Sequence, residues 1–573
     1  MIADGTRIGR HLRSARRGGF ATSTAEHSHV TSTDPAASPQ AERAAQPASV
    51  MAPLANPFFR ALFIASLTSN IGSWMQTLAA QWQMTSLTTS ALLVALISAA
   101  NALAIFVLIV PGGVLADILS RRRLLMVTNG CMFVTAIVLA TLTFSGLARP
   151  GTLLLLVFTG GLFNALTMPG WQAMIPDLVE RDQFRSAVTL NGVSTNVGQA
   201  AGPALGGLVV SFGGPGAVYL INAASFLAIV VVLWRRAKER PEQALPAERF
   251  FGAVRGGLRF VRFRPELRPL MIRVATFGFC ASSLFALLPV YARQHLHVGS
   301  LSFGVMMAFL GVGGVGAVFL LPRLSKNLSR SRVVAGGMAL LAVAVAGLAL
   351  NDIYWVACVI VVAAGAAWLT LFTTYQVAAT SLLPSWVRAR ALSVYLMALF
   401  GGLSAGAVVW GSVASRFGVT TAYFIVAGTT VALLAATWRL PVPQGRAADI
   451  SVGAAIPFPM HEPEETLELE HGPVVMNRRY SIDPNDADEF LAVMEQLGAA
   501  RRRRGAIYWA VYRDLNRPNE YVETMVTETW ADRLRLRERV GDADLELYRH
   551  ALSFDRGGRR PEAEEYLVAA GGR

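Results

Sequence analysis

The sequence predicts an α-helical, polytopic membrane protein of twelve spans, arranged as two six-helix halves with a small α+β domain after the last span. Three observations predict it. Apolar residues make up 53% of the chain and charged residues only 15%, where a soluble protein carries about 25% charge. The apolar residues come in runs of about 20, such as those containing 153–163 and 356–371, which is the length a helix needs to cross a bilayer. Finally, segment 172–234 moved by 204 positions falls on 376–438 without gaps. Gln172 meets Gln376, Ala187 meets Ala391, Gly198 meets Gly402 and Gly202 meets Gly406. Gly207 meets Gly411, Gly214 meets Gly418, Tyr219 meets Tyr423 and Trp234 meets Trp438. Small residues and aromatics set helix packing and interface anchoring, so their repetition implies two like-oriented halves with a substrate path between them.

In chain order, residues 1–52 are rich in Ala, Ser, Thr, Pro and Arg, have no apolar core of a signal peptide, and read as disordered. Met51, just before the membrane region, is a second candidate start beside Met1. The first half, 53–236, carries spans near 57–84, 90–116, 122–146, 151–175, 186–211 and 215–236. A basic connection, 237–267, includes an amphipathic stretch at 250–263 suited to a membrane surface. The second half, 268–440, carries spans near 268–293, 300–322, 331–350, 353–379, 389–413 and 419–438.

Loop charge sets the orientation. With the N-terminus in the cytoplasm, the inner loops hold about 21 Lys and Arg residues and the outer loops hold Arg149, Arg293 and Arg416. Both termini are then cytoplasmic. The net charge of +14 is thus a topogenic pattern spread over alternate loops, and it argues against a nucleic-acid-binding patch. Cys131, Cys280 and Cys358 lie far apart inside apolar runs, which speaks against a disulfide framework or a metal cluster. The reading assigns no catalytic residue, metal or cofactor.

Between the second and third spans stand Gly113, Asp117 and Arg121-Arg122-Arg123. Glycine permits close helix approach, an acid at a membrane edge can face a helix N-terminus or an arginine, and the arginines hold the turn at the headgroups. Together they form a candidate conformational latch, the alternative being a simple basic turn. The fifth span holds Gly198, Gly202, Pro203, Gly206 and Gly207, a glycine groove with a helix-bending proline. The counterpart in the second half has Ala407 in place of the proline.

The first of these motifs resembles the G-x-L-A-D-x-x-G-R-R/K loop of the major facilitator superfamily, with Ser120 replacing a glycine. The second resembles the G-x-x-x-G-P-x-x-G-G pattern that the superfamily associates with exporters and antiporters. Residues 69–88 and 169–179 are similar to the branch that contains the enterobactin exporter and the transmembrane secretion effectors. The resemblance covers about residues 53–555 and implies the major facilitator fold and export of a small molecule, siderophore-like or drug-like. It also implies that helices 1, 4, 7 and 10 line the path, which brings forward Asn70, Gln76, Asn164 and Tyr375. Trp171, Gln172, Arg273 and Gln376 are further candidates, although polar residues in spans more often join helices than touch ligands.

Between 53 and 440 the acids are Asp117, Asp177, Glu180, Asp182, Glu239, Glu242, Glu248, Glu266 and Asp352, all in loops or at a helix end. A pocket for cations needs a carboxylate to offset desolvation, so neutral or anionic cargo fits better.

After a linker at 441–470, residues 471–556 read as strand, helix, strand, strand, helix, with 557–573 as a tail. That order suggests a ferredoxin-like module, similar to small dimeric α/β-barrel domains, which implies dimerisation through it. Arg501–Arg504 read as a solvated helix end, or as a contact for anionic headgroups. The partners expected are thus a small-molecule substrate, the bilayer and a second copy. A membrane-tethered sensor or enzyme acting through the C-terminal domain is the alternative reading, and an importer is a third.

Overall fold

The computed structural model describes residues 50–175, 178–180, 182–235, 267–383, 388–443, 467–557 and 563–568. The expected disordered segment up to residue 49, the amphipathic connection and most of the 441–470 linker lie outside them. The described residues up to 440 are almost wholly helical. Its helices are α1 (Pro57–Leu87), α2 (Ala91–Ile118), α3 (Arg121–Phe144), α4 (Pro150–Met174) and α5 (Phe184–Trp234), then α6 (Leu267–Val290), α7 (Ser300–Asn327), α8 (Arg330–Ala349), α9 (Tyr354–Thr380), α10 (Arg388–Phe417) and α11 (Val419–Thr437). Ten of these are long and apolar enough to cross a membrane. The exception, α1, carries Ser69, Asn70, Gln76, Gln81 and Gln83 among its apolar residues. It starts sharply because Pro57 has no amide to satisfy and Asn56 Oδ1 accepts from the Phe58 and Phe59 amides at 2.9 and 3.3 Å.

Two separate helices are expected where the structure has the single 51-residue element α5. Its backbone breaks at Gly214, whose φ of 70° and ψ of 174° are not helical. Gly418, the repeat partner of Gly214, also has positive φ (86°) and separates α10 from α11. Tyr219 and Tyr423, also repeat partners, are both fully buried.

Packing repeats as the sequence does. In the first half α1 packs on α5, α2 on α4, and α3 on α5. In the second, α6 packs on α10, α7 on α9, and α8 on α11. The halves meet where α2 packs on α10 and α5 on α7, again a symmetric pair. Two arginines tie down the ends of corresponding helices. Arg122 donates to the Leu233 and Trp234 carbonyls at 2.8 and 3.0 Å, and Arg273 donates to their repeat partners, the Thr437 and Trp438 carbonyls, at 2.6–3.3 Å.

The C-terminal segment forms one antiparallel sheet in the order β2-β3-β1-β4, with β1 Val474–Ser481, β2 Tyr508–Arg513, β3 Glu520–Thr527 and β4 Ala563–Leu567. Helix α12 (Ala487–Arg504) follows β1, and α13 (Trp530–Glu538) and α14 (Asp542–Ser553) follow β3. Two expectations are corrected here. The last helix of the expected order is two helices, Trp530–Glu538 and Asp542–Ser553, split before the N-cap Gly541. The segment read as a tail supplies β4, which pairs with β1 from Val474↔Leu567 to Arg478↔Ala563. Residues Tyr480, Phe490, Met494, Leu497 and Tyr548 form the core between sheet and helices.

Candidate functional site

In a two-half bundle the working parts are the seams between halves and the side chains along them. The fifth-helix motif lies on one such seam, and its residues divide between two neighbours. Gly198, Gly202 and Gly206, one turn apart, face α1: a Cβ on each would lie 2.9 Å from Asn70 C, 2.6 Å from Trp74 Cβ and 3.0 Å from Met75 Cα. Gly207 faces the other half, where a Cβ would lie 2.7 Å from the Ser300 carbonyl oxygen and 2.9 Å from Gly304 Cα. The Pro203 carbonyl meets the same Gly304. Gly411, the repeat partner of Gly207, makes the matching crossing, against Leu92 and Ala95 of α2. One short motif therefore fixes α5 inside its own half and sets its distance from the other.

The residues read as a candidate latch sit at the α2–α3 turn. Gly113 faces α10, with space for a Cβ 3.5 Å from Ser393 Oγ. The side chain of Asp117 lies outside the described residues. Arg122 is bound to the end of α5 in its own half, as above, while Arg123 is exposed.

Among the described residues, no hydrogen bond joins one predicted path residue to another. Asn70 Nδ2 donates to Ser194 Oγ at 2.9 Å, Gln76 Oε1 accepts from Asn222 Nδ2 at 2.8 Å, and Trp171 Nε1 donates to Asn191 Oδ1 at 2.7 Å. Each of these joins α1 or α4 to α5. Asn164 and Gln376 are half-buried and Gln172 is exposed. Tyr375 is buried with its ring 5.8 Å from Phe277. Arg273 is buried and caps α11 through its Nε and Nη2. Replacing Arg273 with Met should therefore cost about 1–3 kcal/mol, the worth of charged hydrogen bonds, seen as a lower thermal midpoint of the purified protein. A loss of transport at unchanged stability would place Arg273 on the path instead.

A second group of residues does come together. Phe277 and Phe285 of α6 flank Trp368 of α9 at 5.2 and 5.0 Å, and Phe372 stacks on Trp368 at 6.0 Å. Trp368, Phe285 and Phe372 are only half-buried, so this aromatic wall keeps part of its surface open. Beside it, Gln81 of α1 reaches the Phe285 carbonyl. Phenylalanines in an apolar span carry no sequence signal that separates wall from lipid-facing surface.

In the C-terminal domain, Glu523 is fully buried. It accepts from Trp509 Nε1 at 2.9 Å and Tyr480 Oη at 3.1 Å, with Arg501 Nε at 3.4 Å and Arg478 Nη1 at 3.7 Å. Burial opposes its ionisation, but Arg501, Arg478 and the two hydrogen bonds outweigh it and hold the carboxyl below the usual carboxylate range. Arg504 is buried and paired with Asp544, and burial lowers its pKa to about 10. Two of the four arginines read as a solvated run are thus part of the core, and neither Arg501 nor Arg504 is free for headgroups.

The sequence profile of the transmembrane secretion effectors, a branch of the major facilitator superfamily, matches residues 48–571. Among curated proteins, the chain is 23% identical over 376 residues to a staphyloferrin A transporter of Staphylococcus aureus, covering 65% of this chain and 93% of that one. It is 27% identical over 271 residues to the enterobactin exporter of Shigella boydii, covering 46% and 63%, and 27% identical over 294 residues to a multidrug efflux pump of Mycolicibacterium fortuitum, covering 49% and 71%. Solved structures of the same fold include the nucleoside transporter NupG, with a TM-score of 0.55 at 14% identity, covering 67% of this chain and 98% of that one. A bacterial homologue of the lysosomal transporter Spinster gives 0.53 at 16%, covering 67% and 95%. Family and relatives are transporters, not enzymes. The chain is a multi-pass membrane transporter and belongs to the transmembrane secretion effectors of the major facilitator superfamily.

Proposed function

We propose that the protein is a secondary active exporter that moves a small neutral or anionic molecule, siderophore-like or drug-like, across the inner membrane by alternating access. The observation that carries this reading is the fifth-helix motif, whose Gly207 meets Gly304 of the opposite half while its other glycines grip α1. A backbone-to-backbone crossing of this kind lets two halves rock without side chains having to interlock and release. The relatives named as siderophore and drug transporters support the cargo class. Read at its Gly214 break, α5 supplies two spans, since 51 residues make about 76 Å of helix and the hydrocarbon core is about 30 Å thick. With α1 included, that makes twelve spans in two sixes, with both termini cytoplasmic by loop charge.

Asn164, Gln376, Tyr375 and the Phe277–Phe285–Trp368 wall are the path candidates favoured by position, and they suit a planar apolar cargo. Asn70, Gln76, Trp171 and Arg273 are assigned to helix packing. The sheet order and antiparallel pairing of the C-terminal domain support a ferredoxin-like module. Its sheet face bearing Tyr508, Tyr512 and Tyr566, each about half exposed, is where a second copy would dock. Crosslinking of the full chain at Tyr512→Cys should yield dimers on that basis, and monomers only would remove the proposal.

The export reading is tested in cells that express the chain or an empty vector and are loaded with labelled siderophores and drug-like dyes. The exporter should lower retention of at least one compound several-fold, and Gly207→Val should restore retention. Equal retention of every compound counts against it.

A further inference from the structure

Among the described residues, the hydrogen bonds that join the halves by side chains gather toward the end of the bundle carrying the α1–α2 turn, and one proline explains their centre. Pro289 in α6 has no amide, so the carbonyl four residues earlier, Phe285 O, is left without its helical donor. The other half supplies it: Gln81 Nε2 and Ser98 Oγ both donate to Phe285 O at 3.0 Å. Gln81 and Phe285 are separated by 204 positions, the offset of the internal repeat, which puts this contact near the axis relating the halves.

Directly after Pro289 the helix widens into a π turn, Tyr291–His295. The wider turn aims two side chains at the first half. Arg293 Nη1 donates to Thr85 Oγ1 at 3.1 Å with its guanidinium 5.3 Å from the centre of the Trp82 ring, and Gln294 Nε2 donates to the Thr89 carbonyl at 3.0 Å. Within its own half the turn is pinned by Tyr291 Oη, which donates to the Asn351 carbonyl at 2.5 Å, and by His295 Nε2, 2.8 Å from Asp352 Oδ1. A π turn is a costly local geometry that recurs at working sites, and here each of its outward polar groups has a partner across the seam.

We propose that Pro289 and the π turn form the gate at this end of the transport path, with Arg293 as the positioning residue that holds the halves closed. The inference rests on alternating access, in which this end must open once per cycle; with the orientation proposed above it is the outer end. Closure costs no buried carboxylate. It uses a freed backbone carbonyl, three neutral side-chain donors (Gln81, Ser98 and Gln294) and one cation stacked on an indole, contacts of moderate strength that can be broken in each cycle.

The test uses the full chain in lipid nanodiscs, with Cys131, Cys280 and Cys358 replaced by serine and spin labels on Ser86→Cys and Leu301→Cys. Double electron–electron resonance then reads the distance between halves at this end, without substrate. The unsubstituted gate should give mainly the short distance. Arg293→Ala should raise the open-to-closed ratio at least about fivefold, within the usual range for coupling between two states. Arg293→Lys, which keeps a donor for Thr85 but loses the planar face over Trp82, should fall between. Pro289→Ala restores an amide for Phe285 O and should shift the ratio the same way as Arg293→Ala. Unchanged distances in all three variants overturn the proposal, and Arg293→Lys alone decides if Arg293→Ala does not fold. Unchanged distances in a protein that still transports would reject the gate and leave export standing. A shifted gate in a protein that moves no compound would do the reverse.

Discussion

Gly207→Val is expected to reduce transport at least tenfold and to destabilise the protein by about 2–3 kcal/mol, the upper part of the usual cost of overpacking. The atoms that a new Cβ would meet are backbone atoms of α7, 2.7 and 2.9 Å away, so no side chain can swing aside and the two halves must separate to admit it. Gly192 lies in the same helix with nothing within 4 Å of its would-be Cβ. Gly192→Ala should therefore be neutral or slightly stabilising, by the roughly 0.5–1 kcal/mol that alanine gains over glycine in a helix. Thermal unfolding of the purified proteins, together with transport, separates the two sites. Equal effects at Gly192 and Gly207 would mean that helix propensity, not the seam, governs this helix.

Glu523→Gln should unfold the C-terminal domain locally while the membrane helices stay intact. Glu523 is the anion between Arg478 and Arg501, all three nearly inaccessible to water. Removing its charge strands two buried guanidinium groups, at a cost of about 3–5 kcal/mol. Hydrogen exchange of the full chain should show lost protection in β1 and β3, the strands that carry Arg478 and Glu523, and unchanged protection in α1–α11. The same carboxylate gives the domain an acid limit. Its pKa is lower folded than unfolded, so its contribution is fully present above the ordinary carboxylate value of about 4.3 and is lost as pH falls through the lowered value. Protection of β3 in the natural sequence should drop steeply below about pH 4, and Glu523→Gln should flatten that step.

Much of the membrane architecture was legible because a bilayer enforces length and polarity on every span. The ungapped repeat was legible because left-handed backbone and close helix crossings both demand glycine: Gly214 and Gly418 both adopt positive φ, and Gly207 and Gly411 both occupy crossings between halves. What escaped the sequence depends on partners far away in the chain. Arg501 and Arg504 look like a solvated run until Glu523 and Asp544 are brought beside them. Strand β4, Ala563–Leu567, is five residues long with two glutamates, as an edge strand can be, and it has little apolar alternation to announce it. The phenylalanines beside Trp368 are indistinguishable in sequence from those facing lipid. The consequence of Pro289 appears only once the Phe285 carbonyl is seen to accept from the other half.

In inverted membrane vesicles, outward movement of a small molecule by the two-half bundle becomes accumulation inside the vesicle. Vesicles containing the intact chain should concentrate at least one labelled siderophore or drug-like compound when an ion gradient is imposed, and should lose that ability with Gly207→Val or when the gradient is collapsed. Accumulation in right-side-out vesicles instead, or no vectorial movement by a protein whose helices are correctly inserted, would mean that the bundle does not export.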